Sequence, residues 1–228
     1  MGNQRINIIW FKRDLRLIDH QPLQRAQESD IPTLLIYFYE PSIMSFADSD
    51  ERHWRFVQQS LTELNKTLSE WGHRIYTVHE EALPALQKLT EVFDVATLFS
   101  HEEIGNNLTY VRDQSVAAFC KEKKIEWKEF PTNGVVRGLG NRNLFSQRWI
   151  HTMGAPLYSV DLKNLISIQL PADLLLSFTT SFPANPRMQP GGPAAANQYL
   201  TSFLYERKSN YSKHISKPEE SRKSCSRL

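Results

Sequence analysis

The chain has 228 residues, 40% apolar and 23% charged, with a formal net charge of +2; these values suit a globular protein and exclude a disordered or low-complexity one. The longest apolar runs, at 33–39 and 162–170, are too short or too polar to span a bilayer, and residues 1–16 lack the apolar stretch of a secretory signal, so a cytoplasmic location with no membrane contact is expected. The two cysteines, Cys120 and Cys225, have no Cys or His neighbours at ligand spacing, so neither a disulfide framework nor a zinc site is expected.

Residues 5–11 alternate and then run apolar through Ile6, Ile8, Ile9, Trp10 and Phe11, the pattern of a buried strand. Similar short runs recur at 33–39, 75–79, 95–100 and 125–130. Helical spacing fills the intervals. Residues 50–70 place Trp54, Val57, Leu61, Leu64 and Leu68 on one face, and Trp71-Gly72 supplies a carboxy-terminal cap. Residues 80–91 read the same way. Residues 107–123 predict a helix with Val111, Ser115, Ala118 and Phe119 inward, Cys120 as a core thiol, and a Lys-rich last turn that suits the helix dipole.

Strict alternation of strand and helix predicts an α/β fold: a doubly wound, five-stranded parallel sheet (Rossmann-like), about 130 residues long, followed by a long irregular linker. Ligands of such sheets gather beyond the carboxyl ends of the strands, here after Phe11, Tyr39 and Ser100. No Gly-x-Gly-x-x-Gly follows the first strand and no Gly-x-x-x-x-Gly-Lys is present, which disfavours the usual dinucleotide and P-loop sites.

Beyond Met153, Pro156, Pro171, Pro183, Pro186, Pro190 and Pro193 punctuate the chain together with Gly191-Gly192, the signature of an irregular connector between domains. Helical spacing resumes at 192–205 with Ala195, Tyr199, Leu200, Phe203 and Leu204, a face that needs a partner surface. From Tyr205 onward the chain holds seven Lys/Arg against three Glu; a solvated charge run is the ordinary meaning of such a tail, and a phosphate backbone is the other.

The densest local feature is Trp10-Phe11-Lys12-Arg13-Asp14-Leu15-Arg16-Leu17-Ile18-Asp19-His20, followed by Leu23. Physically it is a salt-bridged turn at the end of a strand. It also resembles the Trp-Phe-Arg-x-Asp-Leu-Arg-x-x-Asp-Asn-x-x-Leu signature that opens DNA photolyases and cryptochromes, with Lys12 in place of Arg and His20 in place of Asn. Tyr37-Phe38-Tyr39-Glu40-Pro41 falls where that family's second strand ends. Gly191-Gly192 followed by a helix and Tyr211 resembles its approach to the flavin domain, and Ser224-Cys225-Ser226-Arg227-Leu228 is similar to the opening of its flavin-phosphate segment, with Cys225 for Thr.

The resemblance implies an α/β antenna domain over 1–153, an interdomain linker over 154–190, and the start of a helical FAD-binding domain over 191–228. It implies FAD in an intact protein, met here by only one wall of a pocket: Tyr211, Cys225, Ser226 and Leu228. An antenna folate or deazaflavin is implied near the strand ends, with Glu40, His101, Glu102, Glu103 and Asn106 as its candidate residues. The early acidic and Asn residues of 100–106 equally suit a cap for the helix that follows. Three neighbouring potential ligands without a distant partner do not define a metal site.

The activity implied is light-driven repair of pyrimidine dimers in damaged DNA by the intact protein, with no catalytic residue in this part. A cryptochrome light sensor and a flavin-free nucleotide-binding or interaction module remain the alternatives. The basic residues Arg137, Arg142 and Arg148 read as a solvated face, and the five tryptophans read as packing. An interdomain face left uncovered along the helix at 192–205 predicts a tendency to dimerise or a mobile tail.

Overall fold

The computed structural model describes residues 2–220; the expectations for Cys225, Ser226 and Leu228 lie outside the described residues. Five parallel strands carry the fold: β1 (Gln4–Phe11), β2 (Thr33–Phe38), β3 (Ile75–Val78), β4 (Phe93–His101) and β5 (Glu126–Phe130), in the order β3-β2-β1-β4-β5. Between them lie α1 (Gln21–Gln27), α2 (Pro41–Met44), α3 (Glu51–Ser69), α4 (Ala82–Val92) and α5 (Asn107–Lys123). The doubly wound five-stranded parallel sheet expected from the sequence is the fold observed.

By internal contact the chain divides into two units, one comprising residues 1–50 and 65–180, the other 51–64 and 181 onward. In the first, one face of the sheet contributes Ile6, Ile8, Trp10, Ile36 and Leu98 to a core shared with Leu86 and Leu89 of α4 and Val116 and Phe119 of α5. The opposite face of β1 meets α1, whose Leu23 and Ala26 are buried. Central strands covered on both faces account for the near-continuous apolar runs of β1 and β2.

The inward face of α5 differs from the one expected. Thr109, Asp113, Val116, Phe119 and Cys120 are buried, whereas Val111 is 49% exposed and Ala118 is exposed. The reason is Asp113: a carboxylate on the core side escapes a hydrophobic pattern, because it is there to meet Lys12 and Arg112 rather than to pack. Helix α3 ends as expected, with Gly72 in the left-handed region at φ 74°.

Residues 154–180 are irregular, yet they are stitched to the first unit. Thr33 bridges Ser167 in parallel and Val78 bridges Ser177 antiparallel, His73 holds Ser167 Oγ and the Leu162 carbonyl at 2.8 Å each, and Leu165 and Leu175 are buried. Helix α6 (Phe145–Met153), which precedes this stretch, buries none of its residues. Of the tryptophans, Trp10 is buried in the core, but Trp71 and Trp149 are 42% and 46% exposed.

In the second unit, Gly191 and Gly192 lie against the amino-terminal part of α3. A Cβ on Gly191 would strike the Phe56 carbonyl, and Gly192, at φ 106°, leaves space for the Glu63 carboxylate. That carboxylate accepts the Ala194 N–H at 3.1 Å in the first turn of α7 (Pro193–Ser202). A π-turn (Phe203–Arg207) and the short α8 (Tyr211–His214) follow, with the Phe203 and Tyr211 rings edge to face at 5.5 Å.

Candidate functional site

Strand order reverses direction at β1 and β4, so the crevice beyond their carboxyl ends is where such a sheet presents its ligand-binding residues. The residues leaving β1 are Lys12, Arg13 and Asp14, and those leaving β4 are His101, Glu102 and Glu103. Together with Ile104, Thr132 and Asn133 they line a cavity of about 180 Å³.

Asp14 organises the floor. Its Oδ1 accepts the Lys12 backbone N–H at 2.7 Å, and its Oδ2 lies 2.6 Å from His101 Nδ1 and 2.8 Å from His20 Nε2. His20 Nδ1 accepts the Leu23 N–H at 3.1 Å, capping α1. That bond places the His20 proton on Nε2, facing Asp14. Burial works against the Asp14 charge, but the hydrogen bonds from His101 and His20 outweigh it and hold the carboxyl well below the usual carboxylate range. Burial likewise lowers the His20 pKa against the pull of Asp14. The result is a buried carboxylate between two imidazoles. These three side chains are close enough to be considered as metal ligands; His101 hydrogen-bonds Oδ2 and the backbone engages Oδ1 and His20 Nδ1, while His20 Nε2 stands 2.8 Å from Oδ2 without hydrogen-bond alignment.

Above it runs a chain of ion pairs. Lys12 Nζ is 3.1 Å from Asp113 Oδ2 and 3.8 Å from Glu129 Oε1, and lies 4.3 Å from the Trp10 ring centre and 5.2 Å from that of Trp127. Burial lowers its pKa, while Asp113 opposes that shift. Arg112 reaches Glu40 Oε1 at 2.6 Å, Asp113 Oδ1 at 2.8 Å and Glu103 Oε2 at 3.6 Å. Burial pushes the Glu40 carboxyl up and Arg112 pulls it down. Arg137 pairs with Glu129 at 2.9 Å and Glu102 at 3.3 Å.

Arg13, largely exposed, closes on buried Glu103 with Nε 2.8 Å from Oε1. That contact has the distance of an ion pair without hydrogen-bond alignment, so buried Glu103 Oε1 is charge-paired but accepts no aligned hydrogen bond.

Of the candidate residues, His101, Glu102 and Glu103 thus line one cavity, and Glu40 joins them through Arg112. Asn106 stands outside that lining: its side chain accepts the Leu108 and Thr109 N–H groups at 3.0 and 3.3 Å and caps α5. Tyr211 lies in the second unit. Sequence reasoning did not place Lys12, Asp14, His20, Arg112, Asp113 or Glu129 in the site. The available signal was the density of opposite charge in residues 12–20 and in the Arg112-Asp113 pair, each on a segment of otherwise apolar pattern.

The fold and its site define a class: a doubly wound α/β domain with a buried ionic network at its topological switch point. The sequence profile of the family described as "DNA photolyase" matches residues 7–138, more than half of the chain. This chain belongs to the DNA photolyase family, as the opening motif implied. It is 28% identical over 102 residues to a cryptochrome DASH of Synechocystis sp., a match covering 42% of this chain and 21% of that protein. With cryptochrome-2 of Gallus gallus it shares 27% over 123 residues, 53% of this chain and 20% of that one.

Among solved structures it resembles the Synechocystis cryptochrome, with a TM-score of 0.70, 18% identity and coverage of 93% of this chain and 49% of that chain. A bacterial class III photolyase from Agrobacterium tumefaciens gives a TM-score of 0.67 at 16% identity, covering 93% and 47% respectively. The chain therefore spans about half the length of these solved relatives, and the likeness at such identities concerns the fold.

Proposed function

We propose that this chain is the amino-terminal antenna and scaffold part of a deoxyribodipyrimidine photolyase, with light-driven repair of pyrimidine dimers performed by an intact protein that adds a helical FAD-binding domain. The observation that carries the reading is the switch-point cavity, where Glu103 Oε1 is buried without an aligned donor. An electron-rich acceptor there suits the ring N–H edge of a folate or deazaflavin. The fit is partial: about 180 Å³ is less than the roughly 300–1,000 Å³ of pockets that enclose a whole ligand, so these residues would grip one edge of the chromophore. Bound there, such a group would harvest light. Glu102, Glu103 and Arg13 would orient it, and the Asp14 cluster would hold the strand ends apart at fixed distance.

Of the partial flavin wall, Tyr211 lies among the described residues, and Cys225, Ser226 and Leu228 lie outside them. No chemical step is assigned to FAD. Damaged DNA and the FAD domain are partners of the intact protein in this reading, and the described residues include no helix long and apolar enough to cross a membrane. A cryptochrome light sensor is the second reading, favoured by the cryptochrome names of the curated relatives.

The deciding experiment is the near-ultraviolet and visible spectrum of the purified chain and of the intact protein, with released small molecules weighed by mass, followed by dimer repair under illumination. An antenna band weakened by Glu103→Gln, with repair by the intact protein, is expected. An intact protein that photoreduces its flavin but leaves dimers unrepaired replaces the photolyase reading with the sensor.

A further inference from the structure

On the sheet face that carries α1, a groove of about 520 Å³ opens over β4 and β5. Its floor is Asn7, Thr97 and Phe99, and its sides are Arg25, Glu28, Ser29, Lys128 and Phe130. Asn7 is the anomaly. It interrupts the apolar run of the central strand, is 1% exposed, and its Nδ2 donates to Ser29 Oγ at 3.2 Å while its Oδ1 is buried with no partner. Reversing the amide would only exchange which of its two atoms is left unmatched. A buried polar group without a partner is costly, and valine at this position would cost nothing of the kind.

A second irregularity falls at the same point. The pairing of β1 with β4 steps from Ile6 opposite Val95 to Asn7 opposite Thr97, so Ala96 is an extra residue. Such bulges redirect side chains beside functional sites, and here the two polar residues of the floor face each other across it. Next to them, the Phe99 and Phe130 rings lie nearly parallel, 15° apart with centres at 6.5 Å. Lys128 Nζ stands 5.9 Å from the Phe99 ring centre. Lys128 pairs with Glu126 at 3.0 Å and Arg25 with Glu28 at 2.7 Å, exposed pairs of the kind that hold their partners weakly.

We propose that this groove is a second ligand site, for a planar heteroaromatic ring that bears an N–H donor and an anionic substituent, the chemistry of a purine mononucleotide. The ring lies along Phe99 and Phe130, its N–H meets Asn7 Oδ1, and the anion reaches Arg25 and Lys128. The site is independent of the switch-point cavity, and nothing in it depends on a flavin or on light.

Adenosine 5′-monophosphate is the probe, titrated calorimetrically into the 228-residue chain, with ribose 5-phosphate as the control that lacks the base. Saturable binding of the nucleotide alone is expected, weakened roughly tenfold by Lys128→Ala, a change on the exposed rim, and by Asn7→Leu, as the loss of one charged or one buried hydrogen bond predicts. Thermal melting of both variants verifies that they fold. No saturation up to about 10 mM, weaker than specific ligands of this size bind, would overturn the proposal. So would binding that neither substitution alters, or that ribose 5-phosphate matches.

Discussion

Asp14 keeps a charge at a place with almost no water, and it does so because the Lys12 N–H and the His101 ring bond its two oxygens and the His20 ring stands 2.8 Å away. Replacing it with Asn turns one acceptor into a donor aimed at imidazole N–H groups, and Asp14→Asn is expected to cost about 2–4 kcal/mol, measured by urea unfolding. The cluster also fixes how stability depends on pH. His20 has a folded pKa below its ordinary 6.5, so an unfolded chain takes up that proton first, and stability falls as pH drops from about 6.5 toward the lower folded value. Asp14, depressed below its ordinary 3.8, stabilises the fold above that value, and its contribution is lost as pH falls on through its folded pKa. Two successive losses on acidification are therefore expected. His20→Asn keeps a side chain suited to capping α1 and should abolish the first loss alone, which unfolding curves between pH 7 and about 4.5 would register.

Helix α5 shows how far pattern carries and where it fails. Its limits, Asn107–Lys123, and its cap at Asn106 follow from residue types that satisfy free N–H groups at one end and complement the dipole at the other. Its rotation does not, because the helix turns an acid inward and leaves Val111 outside. The two faces can be told apart by truncation: Phe119→Ala should cost about 3–5 kcal/mol and Val111→Ala less than about 0.5 kcal/mol, read from denaturation midpoints. The strands were legible for the complementary reason. Burial on both faces leaves little but Ile, Leu, Val and aromatic residues in β1 and β2, and turn residues bound them. The candidate site was legible where its residues follow strand ends, as Glu40 and the run His101, Glu102 and Glu103 do. Lys12 and Asp113 are 101 positions apart, and Asp14 and His101 are 87 apart; no local period encodes a pairing of that length.

At the scale of the whole molecule, one stretch of the first unit carries a run of exposed apolar side chains. Leu144, Trp149, Ile150, Met153 and Leu157 are 46–72% exposed, enough to favour contact with another surface. Weak self-association is the expected behaviour of the isolated chain. Sedimentation velocity across a range of concentrations should show it, and Ile150→Glu with Leu157→Glu should remove it while leaving the melting temperature within about 4 °C, since surface changes move stability by less than about 0.5 kcal/mol.

The irregular stretch through Ser167 and Ser177 has a bearing on where this protein can be cut. It pairs with the start of β2 through Ser167 and with the end of β3 through Ser177, and seats Leu165 and Leu175 among the buried side chains, so it works as a hem on the sheet although its composition is that of a tether. A fragment trimmed at Met153 would fray where Ser167 and Ser177 pair with β2 and β3 and present bare backbone groups to its neighbours, whereas one trimmed at Thr180 keeps that hem.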